Sequence, residues 1–265
     1  MRIGAVVPVR LGSERLPGKA LLPVEGRPVI AHLIDRLASS RHLSRDRVVV
    51  CTTRDRSDDA LVGVVEGLGA RVFRGSRDNV LDRLGAAADV FRFDALVEAD
   101  GDDPCVDPTY LDRALETLLA DESLGIVSVE GLPLGLAGKA IRASALADVR
   151  RHCRTEQNDT GFMYYLTRTG LCRHAVIGVE SDAHRHETAR LTLDYPEDLE
   201  FFRALFRELY VPGEVFGVEA IVALLRRRPD LVAINASLTE VFWERTREKA
   251  QLEYERDGVV HRIEV

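Results

Sequence analysis

Apolar runs rich in β-branched residues alternate with helix-like patterns through the first half of this chain of 265 residues. Ile3 to Val9 is typical of a buried strand, and residues 29–37 then place apolar side chains at the i, i+3, i+4 spacing of one helix face. Further strands are predicted over 47–53, 70–73 and 95–99, and further helices over 58–68, 80–91 and 108–120. This β-α-β-α order predicts a parallel sheet with helices on both faces, which binds ligands where its strands end.

The pattern is less regular after residue 124. We predict a strand over 124–129, a helix over 143–152, short β-like pieces over 153–190, a strand, turn and helix over 191–209, and a helix over 218–225. Residues 237–265 predict a charged amphipathic helix followed by a terminal strand.

Composition excludes several classes of protein. A formal net charge of -7 argues against nucleic acid as the main partner, because binding to a phosphate backbone requires a basic face. No apolar run approaches the roughly 20 residues that cross a bilayer, so we expect no membrane partner. The four cysteines are far apart and form no CxxC pair, which favours a reducing cytoplasm over a disulfide framework or a zinc site.

The segment after the first strand, residues 10–20, is basic and contains two glycines. It has three cations, Arg10, Arg15 and Lys19, and one acid. The spacing is that of neither a GxGxxG fingerprint nor a Walker A loop. A glycine-bearing turn with long cations suits a ligand of several negative charges, so we predict a triphosphate site; a solvated basic loop is the alternative.

A second segment, "RGSRDNVLDR", leads into the predicted helix over 80–91. Ser76, Arg77 and Asp78 lie at its start, where they could face a ligand at the sheet edge. The alternative is an ordinary helix start in which Ser76 or Asp78 is the N-cap.

A third segment, "EADGDDPCVDP", concentrates carboxylates after a predicted strand. Asp100, Asp102, Asp103 and Asp107 lie in it, and Asp194 follows another predicted strand. Crowded carboxylates repel one another unless a cation neutralises them. Oxygen ligands suit Mg²⁺, which commonly takes one or two carboxylates together with phosphate oxygens and waters, so we predict a magnesium–nucleotide site.

Taken together, these motifs resemble a known family. The stretch "VPVRLGSERLPGKALLPVEGRPVIAHLIDRL" is similar to the N-terminal signature of the cytidylyltransferases that make CMP-activated acidic sugars, the CMP-Kdo and CMP-acylneuraminate synthetases. The likeness is greatest to the branch around spore-coat polysaccharide biosynthesis protein F. It continues in "FRGSRDNVLDR", "DGDDPCVDP", "RLTLDYPEDLEFFRALFREL" and "RPDLVAIN", and covers residues 3–131 and 190–235.

The resemblance implies an α/β nucleotide-diphospho-sugar transferase fold, Rossmann-like and of GT-A type, with three layers and a mostly parallel sheet. It implies a single nucleotidyltransferase domain over residues 1–235, with an acceptor or dimer arm at about 132–190, and leaves 236–265 as a C-terminal extension. The implied partners are CTP and a small acidic acceptor, the implied cofactor is Mg²⁺, and the implied assembly is a homodimer.

The resemblance also implies roles for individual residues. The triphosphate loop corresponds to Arg10, Gly12, Ser13, Arg15 and Lys19, and a nucleotide-side segment to Ser76, Arg77 and Asp78. Asp102 and Asp194 correspond to the metal aspartates, and we expect catalysis from Lys19, Arg15 and Asp102.

The sequence departs from the family where the acceptor should bind, and Lys139 stands where relatives of the spore-coat branch often carry an acidic residue. Lys139, Arg142, Asn158 and Arg168 are candidates for meeting an acidic acceptor, and Trp243 is interpreted as a tail-docking or dimer contact. Two alternatives stay open. One is a nucleotidyltransferase acting on a sugar phosphate, a phosphonate or another non-sugar acid, and the other is a non-catalytic nucleotide-binding protein.

Overall fold

A computed structural model describes residues 1–264 of the chain. Its strands are β1 (Ile3–Pro8), β2 (Pro23–Val24), β3 (Arg27–Pro28), β4 (Val48–Thr53), β5 (Arg71–Gly75), β6 (Ala95–Glu98), β7 (Leu124–Glu130), β8 (Lys139–Arg142), β9 (Arg173–Gly178), β10 (Glu253–Arg256) and β11 (Val259–Arg262). Its helices are α1 (Val29–Ala38), α2 (Asp59–Gly67), α3 (Val80–Phe91), α4 (Pro108–Ala120), α5 (Ala143–His152), α6 (Tyr164–Thr167), α7 (Pro196–Leu209), α8 (Val218–Arg227), α9 (Pro229–Ala233) and α10 (Leu238–Lys249).

Seven strands form the central sheet in the order β5-β4-β1-β6-β8-β7-β9. β1 pairs in parallel with β4 on one side and with β6 on the other, and β4 pairs in parallel with β5. β8 runs antiparallel to both β6 and β7, and β9 is parallel to β7. The predicted α/β fold with a mostly parallel sheet is confirmed, and its strand order reverses at β1, where such sheets bind ligands.

Helices cover both faces of the sheet, which gives three layers. One face carries α1, α2, α4, α7 and α8 over a core that includes Ile30, Leu61, Leu111 and Phe202. The other face carries α3, α5 and α6 over a second core that includes Leu84 and Leu146. Full burial of one such aliphatic side chain contributes roughly 2 kcal/mol, so each helix is held mainly by its apolar stripe.

The predicted strand before Asp194 is wrong. Residues 191–193 are extended, but within residues 1–264 they belong to no strand of the sheet. Their amides donate to loops instead: the N–H of Leu191 donates to the carbonyl oxygen of Leu134 at 2.8 Å, and the N–H of Leu193 to that of Asp102 at 2.8 Å. This short apolar run thus has the sequence pattern of a strand, although its hydrogen-bond partners lie in loops.

The C-terminal segment contains more secondary structure than its sequence pattern predicts. The expected charged helix is α10, but the expected single strand is a hairpin of β10 and β11, and Val265 lies outside the described residues. Leu252 and Ile263 are buried in the second core, and the N–H of Arg154 donates to the carbonyl oxygen of Glu253 at 2.9 Å. Residues 236–264 therefore pack on the arm.

Within residues 1–264, the helices are all too short or too polar to cross a membrane.

Gly135 lies where the loop between β7 and β8 meets the segment before Asp194. Its φ is +90°, and a Cβ built on it would lie 2.2 Å from the backbone oxygen of Leu191. Only a residue without a side chain permits this close approach of two backbones.

We therefore expect Gly135→Ala to lower the free energy of unfolding by about 3 kcal/mol, since the left-handed backbone and the overlap both oppose the new methyl group. Gly178→Ala is the control, because a Cβ there meets no atom within 4 Å among the described residues, and it should change stability by less than about 0.5 kcal/mol. Urea denaturation of both variants measures the difference; equal midpoints would contradict the assignment.

Candidate active site

The ammonium of Lys19 lies between two aspartates at the carboxyl edge of the sheet. Its Nζ is 2.5 Å from Oδ2 of Asp102 and 3.0 Å from Oδ1 of Asp194. Arg15 reaches the same Oδ1 of Asp194 at 2.5 Å and lies over the ring of Tyr195. Three predicted segments therefore meet: the basic loop, the acidic loop and the segment before α7 that contains Asp194.

Asp194 is supported from behind by a buried ion-pair network. Arg190 donates to Oδ2 of Asp194 at 2.7 Å and to Oδ1 of Asp198 at 3.1 Å. Asp198, near the start of α7, accepts the N–H groups of Asp194 and Tyr195. The amide of Asn235 donates to Asp198 and to the carbonyl of Arg190. Because Arg190 and Asp198 are fully buried, removal of either charge would leave the other uncompensated.

The charges at this centre stabilise one another. Burial lowers the pKa of Lys19, but Asp102 and Asp194 outweigh it and hold that pKa above its ordinary value. Burial likewise opposes ionisation of Asp194, yet Lys19 and Arg15 hold the pKa of that carboxyl below its usual range. The lysine is therefore cationic and Asp194 anionic at neutral pH.

The pKa values of two neighbouring carboxylates in the acidic loop shift in the opposite direction. Burial, together with the charge of Glu98, raises the pKa of Asp100 well above its ordinary value. Burial and the charge of Asp102 do the same for Asp103, whose Oδ1 has no hydrogen-bond partner among residues 1–264. Asp107 is different, because it is the N-cap of α4 and accepts the N–H groups of Thr109 and Tyr110.

The basic loop is held against the sheet by Asp58. This buried carboxylate accepts the N–H of Leu11 at 2.8 Å and the hydroxyl groups of Thr52 and Thr53 at the end of β4. Gly18, at φ +70°, turns the chain so that Lys19 enters a short 3₁₀ turn and points inward. A residue with a side chain is strained in that conformation.

A cavity of about 220 Å³ opens beside this centre. Its wall includes most of the predicted nucleotide-binding residues: Arg10, Gly12, Ser13, Arg15, Lys19 and Arg77. Ser76 and Asp78 do not line it in the described part of the chain. Ser76 Oγ accepts the N–H of Asn79, and Asp78 lies 4.0 Å from Arg10.

The N-cap of α3 is neither of the two residues that the sequence predicted. Asn79, and neither Ser76 nor Asp78, is the N-cap, and its side chain accepts the N–H of Asp82 at 2.7 Å. Asn158 completes this helix start, since its buried Oδ1 accepts the N–H groups of Val80 and Leu81. The sequence analysis proposed that Asn158 binds the acceptor substrate, but its side-chain oxygen is already used in these two hydrogen bonds within the protein.

Two other proposed acceptor residues, Arg142 and Arg168, line neither this cavity nor the one that adjoins it, among residues 1–264. Arg142 is the last residue of β8, at the end of the sheet opposite the charged centre. There it donates to the carbonyl groups of Leu118 and Leu124. Arg168 donates to the carbonyl of Glu264 and stacks on Tyr164. Both guanidinium groups therefore connect elements of the fold, and we no longer propose them as acceptor ligands.

Lys139 does face the cleft. Its ammonium is 3.0 Å from the fully buried Glu98, and although burial lowers its pKa, Glu98 and Asp100 outweigh that and raise it above the ordinary value. It lines a second cavity of about 620 Å³. That cavity shares Arg15, Asp102 and other residues with the first, so the two adjoin at the charged centre.

Several residues of this site escaped the sequence analysis. Asp58 acts here through a contact across 47 residues, and Arg245 and Lys249 belong to the extension. Arg190 and Asp198 pair across 8 residues, around Asp194. Trp243, for which the sequence predicts a tail-docking or dimer contact, also lines the second cavity. The sequence "PED", shortly after Asp194, was the feature from which Asp198 could have been identified.

The two aspartates fit a divalent cation. Their oxygens already converge on one positive charge, and the unpartnered oxygen of Asp103 lies in the same loop. Among the described residues, no three His, Cys, Asp or Glu side chains form a preassembled metal cluster. A divalent cation held by one or two protein carboxylates completes its shell with phosphate and water.

Comparison with known proteins places the chain among cytidylyltransferases. The family model described as "Cytidylyltransferase" matches residues 5–241. Spore coat polysaccharide biosynthesis protein SpsF of Bacillus subtilis (strain 168) is 30% identical over 228 residues, which cover 85% of this chain and 94% of that protein.

Solved structures agree in fold. A cytidylyltransferase from Leptospira borgpetersenii has a TM-score of 0.78 at 24% identity, covering 88% of this chain and 97% of that one. CMP:2-keto-3-deoxy-manno-octonic acid synthetase complexed with CTP has a TM-score of 0.60 at 21% identity, covering 79% and 100%. Rv0371C of Mycobacterium tuberculosis, in complex with manganese, has a TM-score of 0.56 at 16% identity, covering 77% and 99%.

The bonds of Asn158 generate a prediction that separates a structural role from an acceptor role. Asn158→Ala leaves two buried N–H groups without their acceptor, so the free energy of unfolding should fall by about 2 kcal/mol. Gln157→Ala, an exposed amide one residue away, is the control and should be neutral. Chemical denaturation measures both; unchanged stability in Asn158→Ala would contradict the structural role.

Proposed function

Because the chain belongs to the cytidylyltransferase family, and is thus a CTP-dependent nucleotidyltransferase, we propose that it transfers CMP from CTP to an acidic sugar and releases pyrophosphate. The proposed acceptor is of the ulosonic or nonulosonic acid type. The similarity to a polysaccharide biosynthesis protein supports a sugar-like acceptor.

One observation carries this proposal: Lys19 and Arg15 meet Asp102 and Asp194 at the junction of two cavities. The first cavity is lined by the basic loop and would hold the triphosphate. The second would hold the acceptor. A nucleotide bound in the first would thus present its α-phosphorus to an acceptor in the second.

In the proposed reaction an acceptor oxygen attacks the α-phosphorus of CTP. The new O–P bond forms as the bond from the α-phosphorus to the bridging oxygen breaks, pyrophosphate leaves with the electron pair, and the acceptor's proton is released. Arg15 and Lys19 would stabilise the charge that develops on the phosphates, because the two aspartates already hold both cations at the site before substrate binds.

We propose Mg²⁺ as the metal, held by Asp102 and Asp194. When bound, it would neutralise phosphate charge and orient the reacting oxygen atoms. The fold neighbour in complex with manganese supports a divalent cation in general. Lys19 now occupies the point on which the two carboxylates converge, so its ammonium would shift toward the phosphates as metal and nucleotide enter.

The second cavity has features suited to an acidic, partly apolar ligand. Lys139, Arg15 and Arg245 bring positive charge to its wall, and Trp243 and Pro133 bring apolar surface. We propose Lys139 as the acceptor-binding residue of the original four candidates. Its pairing with Glu98 fixes the ammonium in position and reduces the charge that it offers.

A homodimer and a cytoplasmic location remain predictions. The arm over 132–190 is the proposed dimer contact, since it includes β9, an edge strand of the sheet. Light scattering coupled to gel filtration measures the mass directly.

Replacement of the metal aspartate gives the sharpest variant test. Asp102→Asn keeps the shape of the side chain but removes its negative charge, so turnover should fall at least about 10³-fold while the circular dichroism spectrum is unchanged. Asp182→Asn, a carboxylate exposed at the surface, should keep full activity. Turnover by Asp102→Asn within tenfold of the unaltered protein would overturn the metal assignment.

The substrates themselves are tested by pyrophosphate release. The protein with Mg²⁺ is offered each of the four nucleoside triphosphates, against separate pools of 2-keto sugar acids, sugar phosphates and phosphonates. Release with CTP and the 2-keto sugar acid pool is expected. Release with another pool would favour the alternative nucleotidyltransferase, and binding of CTP without release from any pool would favour the non-catalytic alternative.

A further inference from the structure

The C-terminal helix α10 forms one wall of the triphosphate cavity. Arg245 and Lys249 line that cavity, although they lie beyond residues 5–241, which the family model matches. Their side chains are 32% and 42% exposed, so both can reach a ligand in the cleft.

Both cations contact the basic loop. Arg245 donates to Oε2 of Glu14 at 2.8 Å, and Lys249 is 3.3 Å from the same oxygen. Glu14 is the single acid of the basic loop and is 74% exposed. Ion pairs exposed to water are weak, so a ligand of higher charge can take both cations from Glu14.

The charge of the cavity points to such a ligand. Among the described residues its wall carries seven cations and four carboxylates: Arg10, Arg15, Lys19, Arg77, Arg83, Arg245 and Lys249 against Glu14, Asp100, Asp102 and Asp159. Without the two cations of α10, positive and negative groups would be nearly balanced. A chain with a net charge of -7 thus concentrates positive charge here.

The position of α10 is fixed by the same network that holds Asp194. Phe242 lies under the guanidinium of Arg190, 4.8 Å from ring centroid to Cζ, and Arg190 pairs with Asp194. The N–H of Leu238, at the start of α10, donates to the carbonyl of Asn235. The helix therefore enters the site at a defined angle, with Arg245 and Lys249 one turn apart on the side that faces Glu14.

We propose that Arg245 and Lys249 bind the β- and γ-phosphates of the nucleotide, so that the C-terminal helix is part of the nucleotide site. The inference rests on the proposed function, since it requires a nucleoside triphosphate in this cavity. Lys249 lines the first cavity and not the second, which favours the phosphates over the acceptor as its ligand. In the free protein Glu14 holds the two side chains at the cavity mouth.

The experiment compares nucleotides that differ in phosphate number. Isothermal titration calorimetry with Mg²⁺ measures Kd for CTP and CMP, in the unaltered protein and in the double variant Arg245→Gln/Lys249→Gln. CTP should bind at least tenfold more weakly to the double variant, because two phosphate contacts are lost. The Kd for CMP should change less than twofold, because CMP lacks the β- and γ-phosphates.

Two further variants control for folding and for charge. Arg247→Gln removes one cation from the same helix, at an exposed position that lines neither cavity among the described residues, and should leave both Kd values within twofold. Lys249→Gln alone removes a surface contact to Glu14 and should fold normally, and it should still weaken CTP binding severalfold.

The outcomes separate the inference from the proposed function. If the unaltered protein binds CTP and the Kd of the double variant for CTP lies within twofold of that value, the helix does not bind the phosphates and the inference is overturned. Equal weakening of CTP and CMP would also overturn it, since the effect would then not depend on the outer phosphates. If the unaltered protein binds no nucleoside triphosphate, both the proposed function and the inference fail.

Discussion

The charged centre depends on one carboxylate, Asp194, and on the cations that surround it. Arg190 binds one of its oxygens from the protein interior, while Lys19 and Arg15 bind the other from the cleft. Charges this deeply buried are stable only when paired, so the positions of all four side chains are interdependent. The charged groups at the edge where three loops meet are consequently assembled before any ligand enters, which favours electrostatic stabilisation of a reacting phosphate.

This arrangement also explains why the loops around the cleft are tied to one another. Leu193 donates to the backbone of Asp102, Leu191 to that of Leu134, and Leu11 to the side chain of Asp58. Each bond joins a segment that carries site residues to a different part of the sheet edge. The site is therefore a product of loops held by backbone hydrogen bonds, and the parallel strands supply the platform beneath them.

Much of the fold and part of the site could be predicted from local patterns. The strands and helices of the first half follow from apolar periodicity. Lys19 and Asp102 were proposed because charge of one sign is concentrated in short segments, and Asp194 because it follows an apolar run and matches the family pattern. The predictions failed where a side chain's partner lies far away in sequence. Asn158 caps a helix that begins 78 residues before it, and Arg142 binds carbonyl groups 18 and 24 residues away. The local sequence around such a cation or amide is the same whether the side chain binds a ligand or connects elements of the fold.

The sequence by itself determined the order of the main strands and helices in the first half, the basic loop, the acidic loop and the family to which they belong, because each is encoded in a run of neighbouring residues. Tertiary structure alone decided that Lys19 lies between aspartates 83 and 175 residues away, and that α10 closes the cavity from beyond the family's signature. The physical reason is that burial of the two cores fixes which loops meet, and pairing of buried charge then selects which side chains meet within them.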